Sequence, residues 1–78
     1  MNYKTYIDVV VIHYKSGMIK PLFIIWENGQ KYPIDKVKNV VKAASLKAGG
    51  CGIRYTCMIN NQERYLFLEE NKWFIERK

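Results

Sequence analysis

The sequence predicts an all-β domain: a small five- or six-stranded antiparallel meander curled into a barrel of SH3-like or OB-like kind. Three observations carry this expectation. β-Branched and aromatic residues gather in short runs, turn signals rich in Gly and Asn separate the runs, and within them apolar and polar residues alternate with period two. A chain of 78 residues is read as one domain, 1–78, and at this size it buries only about 60 to 65% of the surface its unfolded form exposes. Open sheet edges would then be costly, and curling is the way to hide them. At 49% apolar and 14% aromatic residues a core is affordable, with Trp26, Trp73, Phe23, Phe67, Phe74 and the tyrosines expected to supply its large buried areas.

Residues 3–14, Tyr-Lys-Thr-Tyr-Ile-Asp-Val-Val-Val-Ile-His-Tyr, form a long predicted strand that ends at Lys15-Ser16-Gly17. A second runs from Met18 to Trp26 and stops at Glu27-Asn28-Gly29-Gln30, where Asn-Gly supplies the positive backbone torsions of a two-residue hairpin turn. Pro21 lies inside this stretch, so an edge or a bulge is expected there, where no ladder donor is missed.

Lys31 to Lys47 supports two readings. Ile34, Val37, Val40, Val41 and Ala44 recur at helical spacing and Gly49 follows, which makes an α+β fold with a helix near 35–47 the alternative. Adjacent valines, interior Asn39 and Ser45, and cations at Lys36 and Lys38 in the first turn oppose a helix. A strand is favoured, and its alternation places Lys36, Lys38 and Lys42 on one face with Val37, Val41 and Ala43 on the other.

After Ala48-Gly49-Gly50-Cys51-Gly52, residues Ile53, Tyr55, Cys57 and Ile59 alternate against Arg54, Thr56 and Met58, the mark of a half-buried strand. Asn60-Asn61-Gln62 turns it into Arg64 to Leu68, and Glu70-Asn71 turns that into Lys72 to Ile75.

The stretch Trp26 to Asp35, then Ala43 to Thr56, then Arg64-Tyr65-Leu66-Phe67 and Lys72-Trp73-Phe74, resembles a group of small uncharacterised bacterial proteins of similar length. The resemblance implies a compact β domain and carries no activity with it.

The net charge of +6 falls entirely within residues 15–54, both flanks being neutral. Such polarity favours a polyanionic partner. The candidate polyanion-binding residues are Lys31, Lys36, Lys38, Lys42, Lys47 and Arg54. The competing reading is that lysines on an edge strand block edge-to-edge pairing.

Tyr55 and Tyr65, with Phe67 and Trp73, are considered as a base-stacking platform, but the parity of Tyr55 with Ile53 and Cys57, and of Trp73 with Ile75, points to the core. Tyr6 and Tyr14 share the face of Val10 and Ile12, which needs a cover: a partner molecule or a second copy of the chain.

No catalytic constellation is apparent. Gly49-Gly50-Cys51-Gly52, flanked by Lys47 and Arg54, precedes a strand rather than a helix and reads as a hairpin turn, not a phosphate loop. His13 is remote in sequence from Cys51, Glu69 and Glu70 are mere neighbours in a turn, and the cysteines and one histidine are too few for a structural zinc site. Cys57 reads as a small buried residue. Neither an enzyme, a cofactor nor a metal is expected. The longest apolar run, Val9 to Ile12, is too short to cross a bilayer, and no secretory signal is seen, so a cytoplasmic protein without membrane contact is expected. The expected function is that of a small basic β-barrel module contacting nucleic acid. The alternative is a protein-interaction or structural module, homodimeric in one form, using Tyr6, Val10, Ile12 and Tyr14.

Overall fold

The computed structural model describes residues 3–42 and 52–77. Seven strands are found among them: β1 (Tyr3–His13), β2 (Ile19–Ile25), β3 (Lys31–Pro33), β4 (Lys36–Lys42), β5 (Ile53–Ile59), β6 (Gln62–Glu69) and β7 (Lys72–Arg77). They form one antiparallel sheet in the order β3-β2-β1-β7-β6-β5-β4, curled into a half-barrel, with no helix among the described residues.

Seven strands arise from the expected six because the third one bends in two. Its first part pairs with β2 and its second with β5. The switch occurs between adjacent residues: the Ile34 N–H donates to the Leu22 carbonyl of β2, and the Asp35 N–H donates to the Met58 carbonyl of β5. Pro33, which has no N–H to extend a ladder, lies one residue before the change of partner. The two edge strands of the curled sheet, β3 and β4, are therefore joined by two residues. Strand β1 also divides its pairing, with Tyr3–Ile7 against β7 and Asp8–His13 against β2. A smaller sheet (β1, β2, β3) and a larger one (β1, β7, β6, β5, β4) thus share β1.

The helix alternative is overturned where the structure describes it. Lys36–Lys42 is a strand laddered to β5, as the valine content favours; residues 43–47 lie outside the described ones.

The connections follow two patterns. In the first, Lys15-Ser16-Gly17 and Glu27-Asn28-Gly29 are three-residue loops, closed by Tyr14 with Met18 and by Trp26 with Gln30. Gly17 and Gly29 hold the left-handed position, at φ 96° and 83°, as such loops require. Ser16 Oγ and Asn28 Oδ1 accept from the N–H two residues on. The two-residue turn expected at Asn28-Gly29 is therefore one residue longer, and Asn28 is not left-handed. In the second pattern, Asn60-Asn61 and Glu70-Asn71 are the two-residue turns, with all four residues at positive φ between 52° and 63°.

The core lies inside the curl. Ile7, Ile24, Tyr55, Cys57, Ile59, Leu66 and Trp73 form its buried centre, with Val9, Val11, Trp26, Val37 and Ile53 among the residues packed around it. Tyr55 meets Trp73 at 5.1 Å between ring centroids and donates its hydroxyl to the Ile19 carbonyl at 2.9 Å. The core placement of Tyr55, Trp73 and Cys57 agrees with their alternation. Phe23 does not follow the expectation: it is 39% exposed, and Tyr6, Tyr14 and Tyr65 are exposed as well.

Candidate nucleic-acid interface

Two bulges decide which side chains share a face. In the β4–β5 ladder, Val37 pairs with Cys57 and Asn39 with Thr56, leaving Lys38 unmatched. An extra residue in one strand reverses the parity of everything beyond it. Lys36, opposite Met58, therefore faces away from the core, whereas Lys42, opposite Ile53, lies on the other face. Val37 packs on the core while Val41, opposite Arg54, points outward. The expected stripe of Lys36, Lys38 and Lys42 is not assembled, although all three are exposed.

The remaining stripe candidates are also dispersed. Lys38 Nζ bonds Glu63 Oε1 at 2.8 Å, and that carboxylate raises the ammonium above its ordinary pKa, first by the hydrogen bond and then by its charge. Arg54 lies over the Tyr65 ring at 4.8 Å, half-buried, with its Nε buried and without a hydrogen-bond partner among the described residues. Lys31 is exposed on β3. Lys47 and Cys51 lie outside the described residues, as does most of the glycine turn. Lysines on β4, and Lys31 with Pro33 on the very short β3, fit protection of the two edge strands.

The second bulge is in β2. Val10 pairs with Phe23 and Val11 with Pro21, so Leu22 is unmatched. Pro21 thus lies beside a bulge, as its missing donor suggested, although β2 is an interior strand. Before the bulge Ile19 and Pro21 turn inward; after it Ile24 and Trp26 do so, and Phe23 is turned out.

This produces a composite surface on the outer side of the smaller sheet. Its central row runs Val10–Phe23–Pro33 across three strands. The neighbouring rows are Ile12–Lys20 on one side and Asp8–Ile25–Lys31 on the other. Exposed Tyr14 and Met18 close the β1–β2 hairpin beside the exposed Lys15. Of these residues, Lys31 belongs to the expected polyanion site and Val10, Ile12 and Tyr14 to the expected apolar one, whereas Tyr6, the fourth member of that apolar set, pairs with Phe74 on the larger sheet. Sequence reasoning missed Phe23 and Lys20 as its members. The signal was Pro21: a bulge there flips Phe23 onto the face of Val10.

The outer side of the larger sheet differs. A single cross-strand row, Val41–Arg54–Phe67–Phe74–Tyr6, traverses five strands. Phe67 and Phe74 stack at 5.2 Å with planes 9° apart, and Tyr6 meets Phe74 edge-on at 5.6 Å. Lys4 Nζ lies 4.6 Å above the Phe74 ring and 3.3 Å from Glu69 Oε1. Phe74 is fully buried and Phe67 6% exposed.

Among the described residues no group of three or more His, Cys, Asp or Glu side chains could hold a metal ion. No helix of those residues is long and apolar enough to cross a membrane. His13 is exposed at the end of β1. The Cys57 thiol is fully buried, and burial pushes its pKa up to about 11; a thiol in that setting is held in its unreactive form. Comparison of this chain with protein-family models, with curated proteins and with solved structures found no match.

Proposed function

We propose that this domain is a nucleic-acid-binding module that docks through the outer face of β1, β2 and β3. The observation supporting this reading is the placement of exposed Lys20 and Lys31 on the two sides of the bare Val10–Phe23–Pro33 row. Cations at the margins attract phosphates, and the apolar centre accepts a ligand that presents flat unsolvated surface between them. Lys15 in the adjoining turn adds to the same field, within a chain of net charge +6. The lysines of β4 contribute general attraction rather than a groove.

Binding to random oligonucleotides should weaken with added salt, the logarithm of the affinity falling against the logarithm of salt with a slope of roughly 0.7 to 0.9 per phosphate contacted. Replacing both Lys20 and Lys31 by Ala should reduce that slope by about 1.4 to 1.8. Absence of binding to any oligonucleotide at low salt would refute the proposal.

A second reading, self-association through the same surface, is favoured by Met18, 70% exposed beside Tyr14. It requires a dimer in sedimentation that Phe23→Glu converts to monomer.

A further inference from the structure

Resting on the nucleic-acid reading, we infer that the ligand is single-stranded and recognised with little regard to sequence, with one base stacked on Phe23. The centre of this face lacks polar side chains. Its central row, Val10, Phe23 and Pro33, carries no side-chain hydrogen-bond donor or acceptor, and Ile12 and Ile25 beside it carry none either. A base edge finds nothing there to read. A base face does, because every base has a π-surface and stacking on an aromatic ring tolerates sequence.

A duplex cannot supply that surface, since its bases are stacked on one another and its exterior is lined by phosphates. Pressed against Phe23, a duplex would desolvate phosphates over an apolar row, at a cost nothing in the row repays. A single strand separates the two needs: phosphates to the lysines, bases to the ring. The spacing permits this. The Lys20 and Lys31 rows meet β1 at Ile12 and Asp8, four residues apart and hence about 13 Å along the strand, with Phe23 in the row midway.

Charge also gives the bound strand a side. Asp8 lies at the β1 end of the row that ends in Lys31 on β3. Repulsion from that carboxylate keeps the phosphates off β1, near Lys20 on β2 and Lys31 on β3, and leaves the bases to cover Phe23 and, on the β1 side, Val10.

The test is fluorescence anisotropy with a labelled oligonucleotide of about 12 nucleotides, within the span a small β-barrel covers, as a single strand and as the matching duplex at one low salt concentration. The single strand should bind at least about tenfold more tightly. Phe23→Ala should weaken single-strand binding about tenfold, as expected for loss of one stacked base, while leaving the salt slope unchanged, and Phe23→Tyr should restore affinity. Phe23 is at the surface, and an unchanged circular dichroism spectrum of the Ala variant verifies its fold. Equal affinity for duplex and single strand, or an unaltered affinity in Phe23→Ala, would overturn the inference while the nucleic-acid reading stands. Failure of both forms to bind at low salt overturns that reading too. A homopolymer preference beyond about tenfold among thymine, adenine and cytosine strands would refute the sequence tolerance alone.

Discussion

The two outer faces of this sheet are built from similar residues and end in opposite states. On the larger sheet, Phe74 is stacked on Phe67, met edge-on by Tyr6 and covered by the Lys4 ammonium, which is tied down by Glu69. On the smaller one, Phe23 has Val10 and Pro33 in its own row and remains 39% exposed. Alternation assigns a residue to a face, but dryness depends on whether a neighbour is long enough to fold over it. Lys4 does so by setting its ammonium 4.6 Å above the Phe74 ring, held there by the Glu69 carboxylate 3.3 Å away. Lys20 and Lys31 flank their row and leave it open.

The contrast can be tested by truncation. Phe74→Ala removes a fully buried ring and should destabilise the protein by about 3–5 kcal/mol, whereas Phe23→Ala should cost less than about 1 kcal/mol in urea denaturation. Comparable losses would mean that both faces are structural.

Below the larger sheet's outer row, Cys57 on the inner face of β5 offers a pH probe of burial. Its thiol has a folded pKa of about 11 against an ordinary 9.0, so its neutral form contributes fully below pH 9 and that contribution is lost as pH rises through 11. The loss should reach a slope of about 1.4 kcal/mol per pH unit in that window. Tyr55 is pushed up as well, chiefly by burial, but is present in both wild type and Cys57→Ala. The alkaline limb of Cys57→Ala should therefore be flatter by the cysteine's share, and an unchanged limb would show that water reaches the inner face.

A smaller effect probes the Lys4–Glu69 clamp. A Cβ at Gly52 would come within 2.5 Å of Glu69 Cγ, so Gly52→Ala should push Glu69 off Lys4 and cost about 1–3 kcal/mol. Stability unaffected by this change would show that the roof over Phe74 does not depend on that carboxylate. The smallest expected change is a gain: Glu70 holds φ 52° in a two-residue turn, and Glu70→Gly should stabilise the hairpin by about 1 kcal/mol. A thermal midpoint that does not rise would place that turn's strain elsewhere.

Much of the architecture is legible in residue order because strand periodicity is local. Ile53, Tyr55, Cys57 and Ile59 declare one face of β5 without reference to any other strand. The bulges are less legible, since an unmatched residue exists only with respect to a partner's register. Pro21 marked the first, through its missing N–H; Lys38 carries no comparable sign, and its bulge is what scatters the lysines. Turn length escaped for the same reason. Asn28-Gly29 has the chemistry of a two-residue turn, yet the pairing of Ile25 with Lys31 leaves room for a longer one, while Glu70 is made left-handed by the Glu69–Lys72 pairing.

The division of β1 between two partners also sets the order of events in time. Its second half can zip onto β2 through a local hairpin, a process of microseconds. Its first half must find β7, with Tyr3 pairing Arg77 across nearly the whole chain, and closing so long a loop is slow. Two hairpin arrays would wait for this one seam, and a weakened Thr5 or Tyr6 would then be felt as slower assembly to the extent that the seam is formed at the barrier.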